Sequence, residues 1–227
     1  LGDVYKRQQY AHSEQGKHYL NLVSLLTPIV KSWCTDQAVY ITSLGIQVHG
    51  GMGFIDDTGA AQYYRDCRIL AIYEGTNGIQ ALDLLRRKLF QENGETYKKV
   101  LQIIKNTAEL AIKSENNNLK EMGELLFKSL DIIEDCIVWL IDKHEENPEI
   151  SAAGATPFLN MFGWVLGGWV MVNSANKAQL IILNDENNKF AKEKINTASF
   201  FCNTYLPLAS SLQNTIKKSF YALENFN

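Results

Sequence analysis

Glu74 is the residue in this chain whose setting most invites chemistry. It lies in Tyr73-Glu74-Gly75-Thr76-Asn77-Gly78-Ile79-Gln80, between the apolar run Ile69-Leu70-Ala71-Ile72 and the glycine-spaced start of a helix. Desolvating a carboxylate is costly, so a Glu at an apolar edge is partnered or used. A carboxylate in such surroundings holds its proton more tightly and can serve as a general base. Thr76 stands where a helix N-cap belongs, and the backbone N–H groups after it suit an anion or a dipole. An ordinary loop with a capping threonine fits the spacing equally well. A second segment, Gln47-Val48-His49-Gly50-Gly51-Met52-Gly53-Phe54, reads on spacing alone as a glycine C-cap and turn. Its Gly-x-Gly lacks the strand that a nucleotide fingerprint requires.

Other candidates carry less. His12, His18, His49 and His144 never fall at the i, i+4 spacing of a helical zinc motif, so no metal site is expected, and His144 reads as a helix-end residue. Glu14, Glu134-Asp135 and Glu145-Glu146 read as solvated faces or turns. Cys34, Cys67, Cys136 and Cys202 form no C-x-x-C pair and read as isolated thiols of a reducing compartment. A net charge of −3 gives no polycationic footprint and argues against a nucleic-acid partner. With 46% hydrophobic and 21% charged residues, the 227-residue chain can bury a core. Its longest apolar run, Met161 to Val172, has 12 residues, short of the ~20 of a spanning helix, and reads as buried.

The elements that hold these segments are helices. Thr27-Pro28 reads as N-cap and first helical position, followed by Ile29, Trp33, Tyr40, Ile41, Leu44 and Val48 on one face. His49-Gly50-Gly51 stops that helix, a second runs from Ala60 to about Asp66, and a third from Asn77 to about Phe90. Gln91 to Glu95 is polar and reads as a domain boundary. Beyond it one stripe joins Tyr97, Val100, Ile103, Ile104, Ala108 and Ala111. A longer one joins Leu119, Met122, Leu126, Leu130, Ile133, Ile137, Leu140 and His144, entered through an imperfect capping box at Asn118 and Glu121. Thr156-Pro157 opens a helix to about Leu183, in which Gly163 and Gly167 would admit a neighbouring backbone. Phe190 to Tyr205 and Pro207 to Leu223 complete an all-α chain of two helical layers or bundles.

Together and in this order, the two glycine-bearing segments resemble the C-terminal region of the acyl-CoA dehydrogenase family. The match runs from about Leu26 to Leu89, through Gln47 to Phe54, Arg65-Asp66 and Ile72-Tyr73-Glu74-Gly75-Thr76, with Ile79-Gln80 and Arg86 at the family's spacing. Gln62 departs from the Lys or Arg usual there, which weakens one surface pairing, and Asn77-Gly78 replaces a serine and a larger residue. The remainder, about Thr96 to Asn227, is similar to the extra helical domain of a longer subfamily that includes 3-methylmercaptopropionyl-CoA dehydrogenase. Ile72 to Ala81 and Gly154-Ala155-Thr156-Pro157-Phe158-Leu159 carry that likeness.

The resemblance implies an FAD enzyme that converts an acyl-CoA thioester to the trans-2-enoyl-CoA. Glu74 would be the base for the α proton while the β hydrogen leaves as hydride to the flavin N5. The Glu74 N–H, with a flavin ribityl hydroxyl, would polarise the thioester oxygen. Thr76, Asn77 and Gly78 match flavin-contacting positions, and Gly75 a substrate-contacting one. Gln47, Gly50 and Gly51 match positions at the adenosine-diphosphate part of FAD, in relatives of a neighbouring subunit; Arg86 would be structural. The same resemblance implies a homodimer or higher homo-oligomer with FAD near the subunit interface, and electron-transfer flavoprotein as acceptor. It implies a location in the bacterial cytoplasm, or in the mitochondrial matrix of a eukaryote. Residues 1–8 form an expected artefact, because Asp3 to Gln8 matches the translation of a transposase end used in sequencing libraries, which would leave the chain truncated at its N-terminus. Residues 9–92 then form the end of the family's helical bundle with the catalytic base, and residues 93–227 the additional helical domain. An acyl-CoA oxidase passing electrons to oxygen, and a non-catalytic helical interaction module, are the alternatives.

Overall fold

The computed structural model describes residues 14–223. The adapter-like segment, His12 and the side chain of His18 lie outside the described residues. The protein is all-α, with no strand among the described residues, and it divides at Gln91/Glu92 into two compact units.

The first unit is built on α1 (Glu14–His49), against which α2 (Gly51–Phe54), α3 (Ala60–Arg68) and α4 (Asn77–Asp83) pack. Helix α1 does not start at Thr27-Pro28 as expected; it runs straight through Pro28. A proline inside a helix costs about 3 kcal/mol. Leu25 and Ile29 straddle it at i, i+4 and are 0% and 1% exposed. Burying two such side chains contributes roughly 1.5–3 kcal/mol each, which outweighs the break. The Thr27 hydroxyl, expected to cap, instead donates back to the Val23 carbonyl at 2.7 Å.

The expected apolar face of α1 is only partly covered. Ile29 is buried, whereas Tyr40, Ile41 and Leu44 stand exposed and Val48 is 86% exposed. The helix expected from Asn77 to about Phe90 is present to Lys88, but α4 is only its first part. After Asp83 the chain widens into a π turn over Leu84–Lys88, closed by the Leu89 N–H donating to the Leu84 carbonyl at 3.0 Å. The wider turn places Leu84, Leu85 and Leu89 inward, all fully buried. Lys88 and Gln91 both donate to the Ser24 hydroxyl, at 2.6 and 2.9 Å, and tie this turn to α1. Glu92 and Asn93 are left-handed, with φ of 52° and 56°, and Gly94 follows at 85°. Three such residues in a row break the helix outright.

The second unit comprises α5 (Glu95–Ile112), α6 (Asn117–Glu146), α7 (Pro148–Ala153), α8 (Ala155–Asn184), α9 (Lys189–Thr204), α10 (Pro207–Ser211) and α11 (Gln213–Leu223). The expected α6 stripe from Leu119 to Leu140 is buried, and His144 at its end meets the Ser151 hydroxyl at 3.0 Å. On α5, Ile103 is exposed while the rest of its stripe is buried. Asparagines cap three of these helices. Asn116, rather than the expected Asn118, starts α6 by accepting the Asn118 N–H at 3.0 Å, and Asn147 and Asn188 do the same for α7 and α9. Close helix approach falls at Gly123 and Gly168. A Cβ at Gly123 would meet the Ala108 carbonyl at 2.8 Å, and one at Gly168 would meet the Leu206 side chain at 2.9 Å.

Helix α8, 30 residues from Ala155 to Asn184, matches the span expected from Thr156 to about Leu183. By length and composition it could cross a membrane; its most apolar window has a mean hydropathy of 1.3 and is 56% buried inside the fold. It packs on α9, α6 and α5, and the Trp169 indole N–H donates to the Thr107 hydroxyl at 3.0 Å. Burial pushes the Cys136 and Cys202 thiols up to about 11 and about 12, so both stay protonated at neutral pH.

Candidate active site

The chain reverses between α3 and α4. Ile69–Ala71 is a short 3₁₀ turn, and its Ile69 carbonyl takes the N–H groups of both Ile72 and Tyr73, at 2.9 and 3.1 Å. Glu74 then adopts φ 56° and Gly75 φ 89°. Left-handed conformation is natural for glycine but uncommon for a residue with a Cβ, and non-glycine cases gather at functional sites. These two consecutive residues swing the chain from the apolar run into α4.

The reversal is held from two directions. Gln80, one turn into α4, donates through Nε2 to the Glu74 carbonyl at 3.0 Å. Lys31, on α1, donates through Nζ to the Gly75 carbonyl at 2.7 Å and to Asn77 Oδ1 at 2.9 Å. The Asn77 amide in turn donates to the Ser32 carbonyl, the Thr35 hydroxyl and the Asp36 carboxylate, at 3.2, 3.1 and 2.7 Å. Its side chain is therefore engaged with α1 rather than presented outward. Thr76 occupies the N-cap position of α4, yet its hydroxyl makes no capping bond, contrary to expectation.

Among the described residues no backbone bond outside the helices uses the Glu74 N–H, and the carboxylate is exposed. Ile69, Ile72, Tyr73 and Ile79 around it in the chain are exposed too. The apolar edge inferred from the sequence is present, but the described residues do not bury Glu74 as a dry pocket would. Gly78 is exposed, and a Cβ placed there meets nothing within 4 Å.

The second segment closes α1. Gly50 takes φ 62° and donates to the Gln47 carbonyl at 3.0 Å, while His49 Nδ1 meets the Gly45 carbonyl at 2.8 Å. Gln47, Gly50 and Gly51 are exposed, with open space where Cβ atoms would stand on the two glycines. Gly53 differs from them, because a Cβ there would strike the Ile46 carbonyl; its glycine lets α2 fold back on α1. The Thr58 hydroxyl pins that turn by donating to the Met52 carbonyl at 2.8 Å. Gln62 keeps a surface pairing despite its lack of charge, donating to Asp66 at 2.7 Å and accepting from Arg65, which also bonds Asp56.

The structure does not bring the two segments together. Asn77 reaches α1 at Thr35 and Asp36, and Gln47 lies eleven residues further along. At ~1.5 Å per residue that is about 16 Å. Lys31 and Gln80 were not legible in the sequence as site residues. Lys31 lies 44 positions from the carbonyl it holds, and no local pattern links them.

The family model described as "Acyl-CoA dehydrogenase, C-terminal domain" matches residues 7–89, and the one described as "Acetyl-CoA dehydrogenase C-terminal like" matches residues 100–223. The chain is 36% identical over 196 residues to the 3-methylmercaptopropionyl-CoA dehydrogenase of Ruegeria pomeroyi, covering 86% of this chain and 33% of that protein. It is 27% identical over 218 residues to a broad-specificity linear acyl-CoA dehydrogenase of Mycobacterium tuberculosis, covering 92% of this chain and 35% of the relative. The chain thus spans about a third of the length of these curated relatives. Among solved structures, Caenorhabditis elegans ACDH-11 in complex with C11-CoA shares the fold, with a TM-score of 0.66 and 23% identity over 85% of this chain and 31% of that one.

Proposed function

The chain belongs to the acyl-CoA dehydrogenase family, and from that premise we propose that it is the C-terminal part of an FAD-dependent enzyme that oxidises an acyl-CoA thioester to the trans-2-enoyl-CoA, with Glu74 as the base. The observation that carries this reading is the reversal at Glu74-Gly75, where a left-handed non-glycine residue presents an exposed carboxylate beside exposed apolar side chains. Removing a proton next to a carbonyl calls for a positioned carboxylate in a site from which water is excluded. The cover over Glu74 comes, in this reading, from substrate and from the part of the protein outside this chain.

The residues fit a bound FAD. Gly50, Gly51 and Gly78 offer open, exposed backbone that a phosphate or a planar ring can approach closely. The Thr76 hydroxyl is not used to cap α4. Bound FAD supplies the acceptor for the hydride that leaves the β carbon. Glu74 takes the α proton, and its N–H donates to the thioester oxygen as charge builds there. Thr76 and Gly78 meet the flavin part, Asn77 contributes through its backbone, and Gly75 lies against substrate. Gln47, Gly50 and Gly51 would meet the adenosine-diphosphate part of a flavin held by a neighbouring subunit. The exposed stripe Tyr40, Ile41, Leu44 and Val48, which leads into Gln47, suits cover by another part of the assembled protein.

In the complete, flavin-loaded protein, Glu74→Gln is expected to lower turnover by about 10²–10⁴-fold without loss of flavin. Near-normal turnover contradicts the assignment.

A further inference from the structure

We propose that Lys31, with Gln80, is a positioning residue for the base: together they clamp the Glu74-Gly75 reversal and so fix the carboxylate over the carbon it deprotonates. The inference rests on Glu74 being the base and adds how its position is maintained. Two adjacent left-handed residues, one of them not glycine, do not hold their conformation unaided. Each of the two left-handed residues here has its own donor on its carbonyl. Gln80 Nε2 holds that of Glu74 at 3.0 Å, and Lys31 Nζ holds that of Gly75 at 2.7 Å.

Lys31 spends its charge on the backbone of the turn. Its second bond is to Asn77 Oδ1 at 2.9 Å, and the other end of that amide is fastened to α1 at three points within Ser32–Asp36. The reversal is thus tied to a long helix by a charged donor and an amide, while Gln80 ties it to α4. A hydrogen bond from an ammonium is about twice as strong as a neutral one, which suits Lys31 to resisting backbone strain. Both donors grip carbonyls, so the carboxylate stays free for substrate. Misplacing a reacting group by about 1 Å can cost on the order of 10²-fold in rate. The effect of losing the clamp therefore falls chiefly on turnover.

The test is a double-mutant cycle in the complete, flavin-loaded protein. Lys31→Met is expected to lower kcat by about 10–100-fold per bound flavin with KM held within about twofold. In the Glu74→Gln background the same substitution is expected to cost clearly less, because the loss that comes from a misplaced carboxylate is already gone and only the hold on the Glu74 N–H remains. An unchanged kcat in Lys31→Met, or an equal loss in both backgrounds, overturns the clamp. Should Lys31→Met fail to fold, Gln80→Leu carries the same expectations from the α4 side. If Glu74→Gln alone retains full turnover, the base assignment falls, whatever Lys31 does.

Discussion

Glu74 and Gly75 show how much of a site a single turn can carry. The residue type and its apolar neighbours made Glu74 one candidate base that an ordinary loop matched equally well, and the segment from Gln47 to Phe54 upstream made the role legible. Its left-handed backbone was not legible, since any residue type but glycine argues against that conformation. The strain finds its compensation in donors far away in sequence, Lys31 above all. Gly75 has the stricter requirement, with φ 89° and a Cβ position only 3.3 Å from Gln80 Nε2. Gly75→Ala is therefore expected to destabilise the first unit by about 1–2 kcal/mol, read as a lower melting temperature, and to weaken the Gln80 hold on the turn. The Asn77 side chain teaches the reverse lesson. The resemblance makes it a flavin-contacting position, whereas three α1 acceptors hold its side chain against that helix.

Helices were legible wherever apolar periodicity and burial agreed, as along α6 from Leu119 to Leu140. They were misread where a local signal competed with long-range packing. Thr27-Pro28 carries the local chemistry of a helix start, but Leu25 and Ile29 bury on one face across it. The π turn at Leu84–Lys88 left no sequence mark, because its cause is the joint burial of three leucines. Glycines divide by neighbourhood in the same way. Gly123 is pressed against backbone with no spacing in the sequence to mark it, the Ala108 carbonyl and the Ile112 nitrogen both standing 2.8 Å from its Cβ position. Gly123→Ala is expected to cost about 1–3 kcal/mol of second-unit stability in a denaturant titration. Gly168→Ala, which meets only the movable end of Leu206, is expected to cost less.

At the scale of the molecule, two all-α units follow from two stretches of helical periodicity parted by the left-handed run at Glu92 to Gly94. The second unit has its own charge link, in which Lys217 and Gln213 on α11 both bond Asp135 of α6, at 2.5 and 2.6 Å. Those bonds hold the Asp135 carboxyl below its ordinary range. A depressed carboxylate stabilises the fold above its unfolded pKa, and the contribution is lost as pH falls through the lower folded value. Melting of the second unit is thus expected to lose stability below about pH 4, and Lys217→Met to remove part of that dependence. The first unit is less self-sufficient, with the α1 stripe from Tyr40 to Val48 exposed and Glu74 uncovered. The chain of 227 residues is accordingly expected to hold FAD weakly or not at all in equilibrium dialysis; tight stoichiometric binding contradicts that.

The central claim, that Glu74 is the α-proton base, is tested most directly by hydrogen exchange at the α carbon. The complete, flavin-loaded protein is incubated in deuterated water with an acyl-CoA thioester and no electron acceptor, and deuterium at the α carbon is followed by mass spectrometry. The unsubstituted protein is expected to incorporate deuterium, and Glu74→Gln to bind the thioester with the exchange abolished. Exchange by Glu74→Gln at the unsubstituted rate would contradict the account.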